Sequence, residues 1–204
     1  MQPTLFNLTD DAIPRPKGLI VGIDEVGRGP LAGPVMAAAA VLKTDTPQGL
    51  DDVTDSKKLT AAKREELMAA ILEQCHIGIG EATVEEIDKM NIRQATHLAM
   101  CRALQGLEIQ PDFAFVDGND LPQKLGLKAQ TVIKGDSKVL EIACASIVAK
   151  VTRDHKMNEL HHNFPHYFWN TNVGYGTKQH IESIAEFGVT IHHRRSFKPV
   201  SDYL

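Results

Sequence analysis

The sequence lacks long hydrophobic runs and paired cysteines. No stretch of 18 apolar residues occurs, and no basic segment followed by an apolar one opens the chain, so neither a membrane span nor a secretory signal is predicted. The cysteines, Cys75, Cys101 and Cys144, are odd in number and have no Cys-x-x-Cys spacing, which argues against a disulfide scaffold and a zinc cluster. We therefore expect a reduced, cytoplasmic protein that does not bind a membrane.

The composition is that of an ordinary globular protein. The 204 residues are 43% hydrophobic and 24% charged, and a chain of this length buries roughly 70% of its unfolded surface without a disulfide or metal staple. Residues 1–17 are expected to form a peripheral tail and residues 18–204 a single domain. No heptad pattern or exposed apolar stripe predicts an oligomer, so a monomer is expected.

Charge is distributed unevenly along the chain. The net charge is −4, but residues 1–122 carry a net −8, whereas residues 123–204 carry a net +4 and seven of the nine histidines. One basic face is enough to bind a polyanion even in an acidic protein. A mixed, solvated surface explains the same numbers equally well, so composition alone leaves both interpretations open.

Apolar runs and amphipathic segments indicate strands mixed with helices. Strands are predicted near 18–23, 35–42, 77–82, 113–116 and 130–133, and helices near 60–74, 84–88, 92–106, 137–161 and 178–187. Thr83 and Glu86 have the spacing of a capping box. Because the first two strands are close in sequence and the later ones are separated by helices, we expect an α/β fold with a mixed central β-sheet flanked by helices.

Acidic residues stand at or just beyond the ends of three predicted strands: Asp24 and Glu25, then Asp117, then Asp136. Functional groups of open α/β sheets collect at strand ends. If these strands are neighbours, four carboxylates converge and their repulsion raises their pKa values. Mg²⁺ resolves this conflict with oxygen ligands, waters and substrate phosphates. Two such ions about 4 Å apart can hydrolyse a phosphodiester.

Each acid also has a structural interpretation. Asp24 and Glu25 fit a polar turn, Asp117 begins an Asp-Gly-Asn turn, and Asp136 fits the N-cap of the following helix. The spacing of Gly22 and Gly27 is that of a P-loop, but the two acids between them would repel a phosphate. A nucleoside triphosphate site is therefore not expected.

Seven short blocks of sequence resemble one known family. They are DEVGRGPLAGP (24–34), DSKKL (55–59), VDGN (116–119), KGDS (134–137), ACASIVAKVTRD (143–154), GY (174–175) and HHRRSF (192–197). Their order and spacing are similar to those of bacterial ribonuclease HII, the type 2 ribonuclease H family. The resemblance covers about residues 18–199.

The resemblance implies a ribonuclease H-like fold and cleavage of the RNA strand of RNA–DNA hybrids. It further implies incision 5′ of a single ribonucleotide embedded in duplex DNA, leaving a 3′-hydroxyl and a 5′-phosphate. The expected cofactor is Mn²⁺ or Mg²⁺ in a two-metal site. The family's four metal-binding acids correspond to Asp24, Glu25, Asp117 and Asp136, the same four acids that the strand ends indicate.

The family's ribonucleotide-sensing residues correspond to Gly27, Arg28, Gly29 and Tyr175. A single ribonucleotide differs from DNA by its 2′-hydroxyl, which donates and accepts hydrogen bonds. Glycines allow the backbone to approach the sugar, and Arg28 offers a fork of donors to the adjacent phosphate. Tyr175 is expected to stack on a sugar or base; the alternative is that it packs over the sheet. Gly176 stands where a proline is expected, which gives a looser loop.

Basic and histidine-rich segments complete the expected contacts. Six cations are candidates for phosphate binding: Lys57, Lys58, Lys150, Lys178, Arg194 and Arg195. Lys150 is also spaced to pair with Asp154 on a helix surface. The adjacent pairs His161–His162 and His192–His193 are expected to be exposed rather than zinc ligands, and Cys144 is expected to be a buried thiol.

A short motif precedes the expected domain. Gln2, Leu5 and Phe6 resemble the Gln-x-x-Leu-Phe peptide by which bacterial repair proteins bind the sliding clamp. The alternative is that Leu5 and Phe6 fold back onto their own domain.

Two further function classes remain open at this point. A DNA nuclease or transferase with the same fold would also use metals at strand ends, but would have no use for a 2′-hydroxyl sensor. A non-catalytic nucleic-acid-binding module would gain nothing from four acids that repel the phosphate backbone.

Overall fold

Five strands form one mixed sheet in the computed structural model, which describes residues 13–204. The strands are β1 (Ile20–Val26), β2 (Val35–Leu42), β3 (Cys75–Ala82), β4 (Phe113–Asp117) and β5 (Lys128–Val132). They lie in the order β3-β2-β1-β4-β5, with β1, β2 and β3 antiparallel and β1, β4 and β5 parallel. The mixed α/β fold predicted from the sequence is confirmed.

Helices cover both faces of this sheet. They are α1 (Ala61–Gln74), α2 (Val84–Met90), α3 (Ile92–Gln105), α4 (Leu140–Asn163), α5 (Trp169–Asn172) and α6 (Lys178–Phe187). One apolar core joins β1, β2 and β4 to α3, and a second joins the opposite face of β2 to α1 and α4. No helix within residues 13–204 combines the length and apolar character needed to cross a membrane.

Helix α4 approaches the sheet closely because β1 carries a glycine beneath it. A Cβ on Gly22 would lie 2.2 Å from the backbone carbon of Glu141. Any larger residue would therefore push α4 off the sheet. This close packing holds α4 against β1 and brings Ser146 beside Asp24 near the carboxyl end of that strand.

Two boundaries differ from the sequence prediction in ways that matter for the site. Strand β1 continues to Val26, so Asp24 and Glu25 lie within a strand and the polar-turn interpretation is wrong. Helix α4 starts at Leu140, with Val139 as its N-cap, and Gly135–Ser137 forms a separate 3-10 turn. Asp136 is therefore not the N-cap of the long helix.

A third apolar cluster packs the C-terminal segments against the loop after β1. It contains Leu31, Ala32, Met157, Tyr167 and Trp169 among its buried members. The segment 162–176, which lies between the predicted helices, contains a 3-10 turn at Pro165–Tyr167 and the short helix α5. These elements place the residues around Tyr175 beside the loop that follows β1.

Residues 13–17 of the expected tail contact the body of the protein. Arg15 forms an ion pair with Glu141, a buried carboxylate at the start of α4, and Ile13 packs near Ile20 and Phe115. The sequence motif at Gln2, Leu5 and Phe6 lies outside the described residues.

Candidate active site

Asp24 and Asp117 lie side by side on neighbouring parallel strands. Ile23 pairs with Val116 in the register of β1 and β4, so the next residue of each strand is an aspartate. Side chains two or four residues apart on a strand lie on the same face of the sheet. Ile20 precedes Asp24 by four residues and Phe115 precedes Asp117 by two, and both pack on Ile142 of α4. Asp24 and Asp117 therefore also lie on the face that α4 covers. The sheet therefore brings together two of the expected metal ligands.

Asp24 is the most deeply buried of the four acids, with 6% of its surface exposed. Its Oδ1 accepts the backbone N–H of Glu25 at 2.7 Å, and Ser146 offers a side-chain hydrogen bond. Burial raises the pKa of Asp24 well above its ordinary value, and the charges of Glu25 and Asp117 raise it further. A cation bound at this position would stabilise the ionised carboxylate and lower its pKa again.

Glu25 points to the opposite face of the same strand end. Burial raises its pKa, while Arg28, whose Nη1 lies 3.3 Å from Oε1, lowers it. Together with Asp117, Arg93 and His97, these residues line a small cavity of about 40 Å³. Glu25 thus connects the acidic cluster to the loop that follows β1.

Asp136 reaches the site through the turn that precedes α4. The backbone N–H of Gly135 donates to Asp117 Oδ1 at 2.7 Å, which fixes this turn against the end of β4. Burial raises the pKa of Asp136, and the nearby acids Asp55 and Asp117 raise it further. All four acids therefore lie at one edge of the sheet.

Asp55 is a fifth acid at this edge that sequence reasoning missed. It is the N-cap of the 3-10 turn Ser56–Lys58, where its Oδ1 accepts the N–H of Lys57, and its charge adds to burial in raising the pKa of nearby Asp136. Ser56 contacts Ser146 at 3.0 Å, which ties the turn to α4. Asp55 belongs to the DSKKL block that resembles the family, but nothing in the sequence showed that its turn lies beside Asp136.

The donor set fits hard divalent cations. Among residues 13–204, no three acidic, histidine or cysteine side chains surround a single ion position. Glu25 instead contacts Arg28, and Asp117 accepts the N–H of Gly135. Mg²⁺ is typically bound by one or two carboxylates, with waters and substrate phosphates completing its shell. The raised pKa values of Asp24, Glu25 and Asp136 suit that arrangement, so Mg²⁺ or Mn²⁺ fits this site.

The two glycines of the Gly27–Arg28–Gly29 segment have different surroundings. Gly27 has φ +90°, and a Cβ there would lie 2.2 Å from Nε of Arg153, so this glycine is required by the protein's own packing. Gly29 faces the cleft, where a Cβ would lie 3.4 Å from Tyr175 Cε1. Tyr175 is 48% exposed and does not pack over the sheet. Gly29 and Tyr175 thus form an open surface beside Arg28.

The predicted phosphate contact of Arg194 is wrong. Its side chain is fully buried, and its guanidinium donates to the carbonyl oxygens of Gly27, Arg28 and Gly33. No donor of this group faces solvent where a phosphate would bind. Arg194 instead supports the loop that carries the sensing residues.

The other predicted phosphate contacts lie at the surface, and some of them are paired with acids. Lys57, Lys58 and Arg195 are exposed, whereas Lys150 pairs with Asp154 at 2.6 Å, as its helical spacing indicated. Lys178 lies 3.7 Å from Glu182 on α6. The exposed cations remain available to a polyanion.

A buried histidine pair fixes the backbone at Tyr175. His193 Nδ1 accepts the N–H of Thr190, its Nε2 contacts Nε2 of His180 at 3.1 Å, and His180 Nδ1 contacts the carbonyl oxygen of Tyr175 at 2.9 Å. Trp169 Nε1 also donates to His180. His193 is buried rather than exposed, so the sequence expectation for this residue is wrong, and burial lowers its pKa to about 3.

We expect this histidine pair to make the fold acid-sensitive. His193 binds a proton in the unfolded chain below about pH 6.5 but in the folded protein only near pH 3. Between these values the unfolded state holds more protons, so the free energy of unfolding falls as pH falls, by up to about 1.4 kcal/mol per pH unit for each such group. Urea unfolding at about pH 7 and pH 5 measures the change. An equally steep fall in H193Q would contradict this assignment.

The comparisons with known proteins agree with this geometry. A family model described as Ribonuclease HII matches residues 21–200. The chain belongs to the ribonuclease HII family. A ribonuclease HII of Cereibacter sphaeroides (strain ATCC 17025 / ATH 2.4.3) is 54% identical over 186 residues, which cover 91% of this chain and 86% of that protein.

Solved structures of this family share the fold. Ribonuclease H2 from Pyrococcus horikoshii OT3 matches with a TM-score of 0.78 and 26% identity, over 91% of this chain and 96% of that one. The Archaeoglobus fulgidus protein, solved as a PCNA:RNase HII complex, matches with a TM-score of 0.74 and 27% identity, over 88% and 95%. As a member of the ribonuclease HII family, the chain is a metal-dependent endoribonuclease that binds RNA–DNA hybrids and cleaves their RNA. The resemblance seen in the sequence is confirmed.

Proposed function

We propose that this member of the ribonuclease HII family also incises duplex DNA 5′ of a single embedded ribonucleotide and leaves a 3′-hydroxyl and a 5′-phosphate. The observation that carries the proposal is the contact between Arg28 and Glu25 at 3.3 Å. Because Gly29 follows Arg28 in the chain and its Cβ position faces Tyr175, this contact supports a sensing surface next to the acidic cluster. A nucleotide read by that surface would present its adjacent phosphodiester to the acids.

The four acids Asp24, Glu25, Asp117 and Asp136 would hold two Mg²⁺ or Mn²⁺ ions. When bound, such ions supply an activated water and stabilise the leaving oxygen of a phosphodiester. The chain's own contribution is to place the carboxylates. Strand register sets Asp24 beside Asp117, and the amide of Gly135 orients Asp117 and holds the turn of Asp136 against it.

Recognition of the ribose would come from the loop after β1 and from Tyr175. The 2′-hydroxyl needs both a donor and an acceptor within reach. Gly29 leaves room for a sugar next to the backbone, and the half-exposed Tyr175 offers a ring and a hydroxyl. Arg28, 53% exposed in its side chain, can exchange its weak contact with Glu25 for a phosphate. A DNA nuclease would have no use for this surface.

The proposal is tested with a labelled DNA duplex that contains one ribonucleotide. The protein is incubated with Mg²⁺, with Mn²⁺ or with EDTA, and an all-DNA duplex and an RNA–DNA hybrid serve as controls. We expect a metal-dependent nick 5′ of the ribonucleotide and an uncut all-DNA duplex. Cleavage of the hybrid without cleavage of the single-ribonucleotide duplex would overturn the proposal while leaving the family activity intact.

We propose in addition that Gln2, Leu5 and Phe6 attach the protein to the sliding clamp. The support is the motif itself and the similarity to an Archaeoglobus fulgidus protein solved as a PCNA:RNase HII complex. An apolar pair in a tail can enter a hydrophobic groove while Gln2 adds polar contacts. We expect L5A/F6A to lose binding to the isolated clamp in surface plasmon resonance while hybrid cleavage is unchanged. Undiminished clamp binding by that variant would contradict the proposal.

A further inference from the structure

Two arginines are buried beneath the sensing loop and have no acidic partner within residues 13–204. Arg153 is 1% exposed and Arg194 is fully buried. No carboxylate within the described residues lies within ion-pair distance of either guanidinium. Burial lowers the pKa of Arg153 to about 10 and that of Arg194 to about 9. Both groups therefore remain charged at neutral pH at a substantial desolvation cost.

Five of their donated hydrogen bonds go to backbone carbonyls of a single loop, residues 27–34. Arg194 donates from Nε to Gly33, from Nη1 to Arg28 and from Nη2 to Gly27. Arg153 donates from Nε to Pro34 and from Nη2 to Ala32. A guanidinium presents its donors in a rigid planar fork. The carbonyl oxygens of this loop are consequently held in one orientation, directed toward the protein interior.

This orientation has a consequence for the amides on the other side of the loop. In a trans peptide the carbonyl of one residue points opposite to the N–H of the next. With the carbonyls of Gly27 and Arg28 turned inward by Arg194, the N–H groups of Arg28 and Gly29 point away from it. Neither N–H finds an acceptor among the described residues. Successive free amides of this kind form a concave site for an anion or a hydroxyl oxygen.

The same arginines also position the second wall of the sensor. Arg153 Nη1 donates to the carbonyl of Val173 at 2.9 Å, two residues before Tyr175. The amide of Leu31 in turn donates to the carbonyl of Gly174 at 2.7 Å. Arg194 packs its guanidinium over the ring of Phe197 at 5.1 Å, which fixes its own position. Both walls therefore depend on the two buried cations.

We propose that Arg194 and Arg153 are positioning residues that set ribonucleotide selectivity, because they hold the N–H groups of Arg28 and Gly29 and the ring of Tyr175 toward the 2′-hydroxyl. They act through the loop and do not touch the nucleic acid. The inference rests on the proposed recognition of single ribonucleotides and identifies what pre-organises it. Selectivity, rather than overall affinity for a duplex, is the property that these residues control.

The adjacent residues Arg194 and Arg195 provide a matched pair, since one is buried and the other is exposed. The affinity for a single-ribonucleotide duplex and for an all-DNA duplex is measured with Ca²⁺ in place of the catalytic metal, over a range of salt concentrations. In R194K we expect the ratio of the two affinities to fall at least about tenfold. The affinity for the all-DNA duplex and its salt dependence should stay those of the wild type. R195Q should keep the wild-type ratio, because an exposed cation acts on both duplexes alike.

Two results would overturn the inference. A folded R194K with wild-type selectivity would show that the buried fork is not needed. An equal loss of affinity for both duplexes, with a salt slope smaller by about one, would identify Arg194 as a phosphate contact. If the wild type itself binds both duplexes equally, the proposed function fails and not only this inference.

A measurement on the unmodified protein covers the case in which R194K does not fold. Amide hydrogen exchange resolves Arg28 and Gly29 in the free protein and in each complex. We expect both amides to exchange readily in the free protein and to become protected by the single-ribonucleotide duplex but not by the all-DNA duplex. Strong protection in the free protein, or equal protection by both duplexes, would contradict the inference.

Discussion

Replacement of Asp24 by asparagine is expected to abolish cleavage without unfolding the protein. The change removes a metal-binding carboxylate from the centre of the site. It also removes a buried charge that Glu25 and Asp117 disfavour, as the raised pKa of Asp24 shows. We therefore expect turnover of an RNA–DNA hybrid to fall by more than about 10²-fold. Removal of a group that only supports a metal ligand typically lowers activity by about 10–100-fold. In the absence of metal the melting temperature should equal or exceed that of the wild type.

The matched control is D51N, which removes an exposed acid and should leave cleavage unchanged. Initial rates with Mn²⁺, together with thermal melts in EDTA, measure both effects on the same preparations. Turnover of D24N within tenfold of the wild type would contradict the assignment of Asp24 as a metal ligand. A large drop in melting temperature would show instead that Asp24 stabilises the fold.

Replacement of Gly27 by alanine is expected to destabilise the protein strongly and to disrupt the loop after β1. The backbone at Gly27 has φ +90°, and the new Cβ would lie 2.2 Å from Nε of Arg153. Left-handed strain costs about 1–2 kcal/mol, and overpacking of a fixed buried group adds about 1–3 kcal/mol. We expect a loss of about 3 kcal/mol in the free energy of unfolding, measured by urea denaturation.

The control for backbone strain is G188A. Gly188 has a similar φ of +84°, but open space surrounds the position of a Cβ. This variant should lose only the backbone strain, about 1–3 kcal/mol at φ +84° and ψ −173°, and should cleave hybrids at the wild-type rate. If G27A and G188A were equally stable, Arg153 would not be packed against Gly27 as described.

The acidic cluster could be predicted from the sequence because its signal is local. An apolar run that ends in Asp24 or Asp117 indicates a buried strand with a polar end. The parallel pairing of β1 and β4 then sets these two residues side by side. The position of α6 could be predicted for a similar reason, since its apolar spacing and its Thr177 N-cap are local features.

The supporting arginines could not be predicted because charged residues are almost always exposed. Nothing near Arg194 in the sequence distinguishes it from Arg195, yet only Arg194 is enclosed, by residues more than 160 positions away in the chain. The same applies to Asp55, which reaches Asp136 only through the packing of its turn against α4. Long-range packing decided these positions.

The most direct test of the account compares three duplexes that differ at one nucleotide, which carries a ribose, a 2′-O-methyl ribose or a deoxyribose. Single-turnover cleavage with Mg²⁺ is measured for each. Because the 2′-hydroxyl acts as both donor and acceptor, we expect a nick 5′ of the ribonucleotide in the first duplex and at least about 10²-fold slower cleavage of the other two. Comparable cleavage of the ribose and deoxyribose duplexes would contradict it.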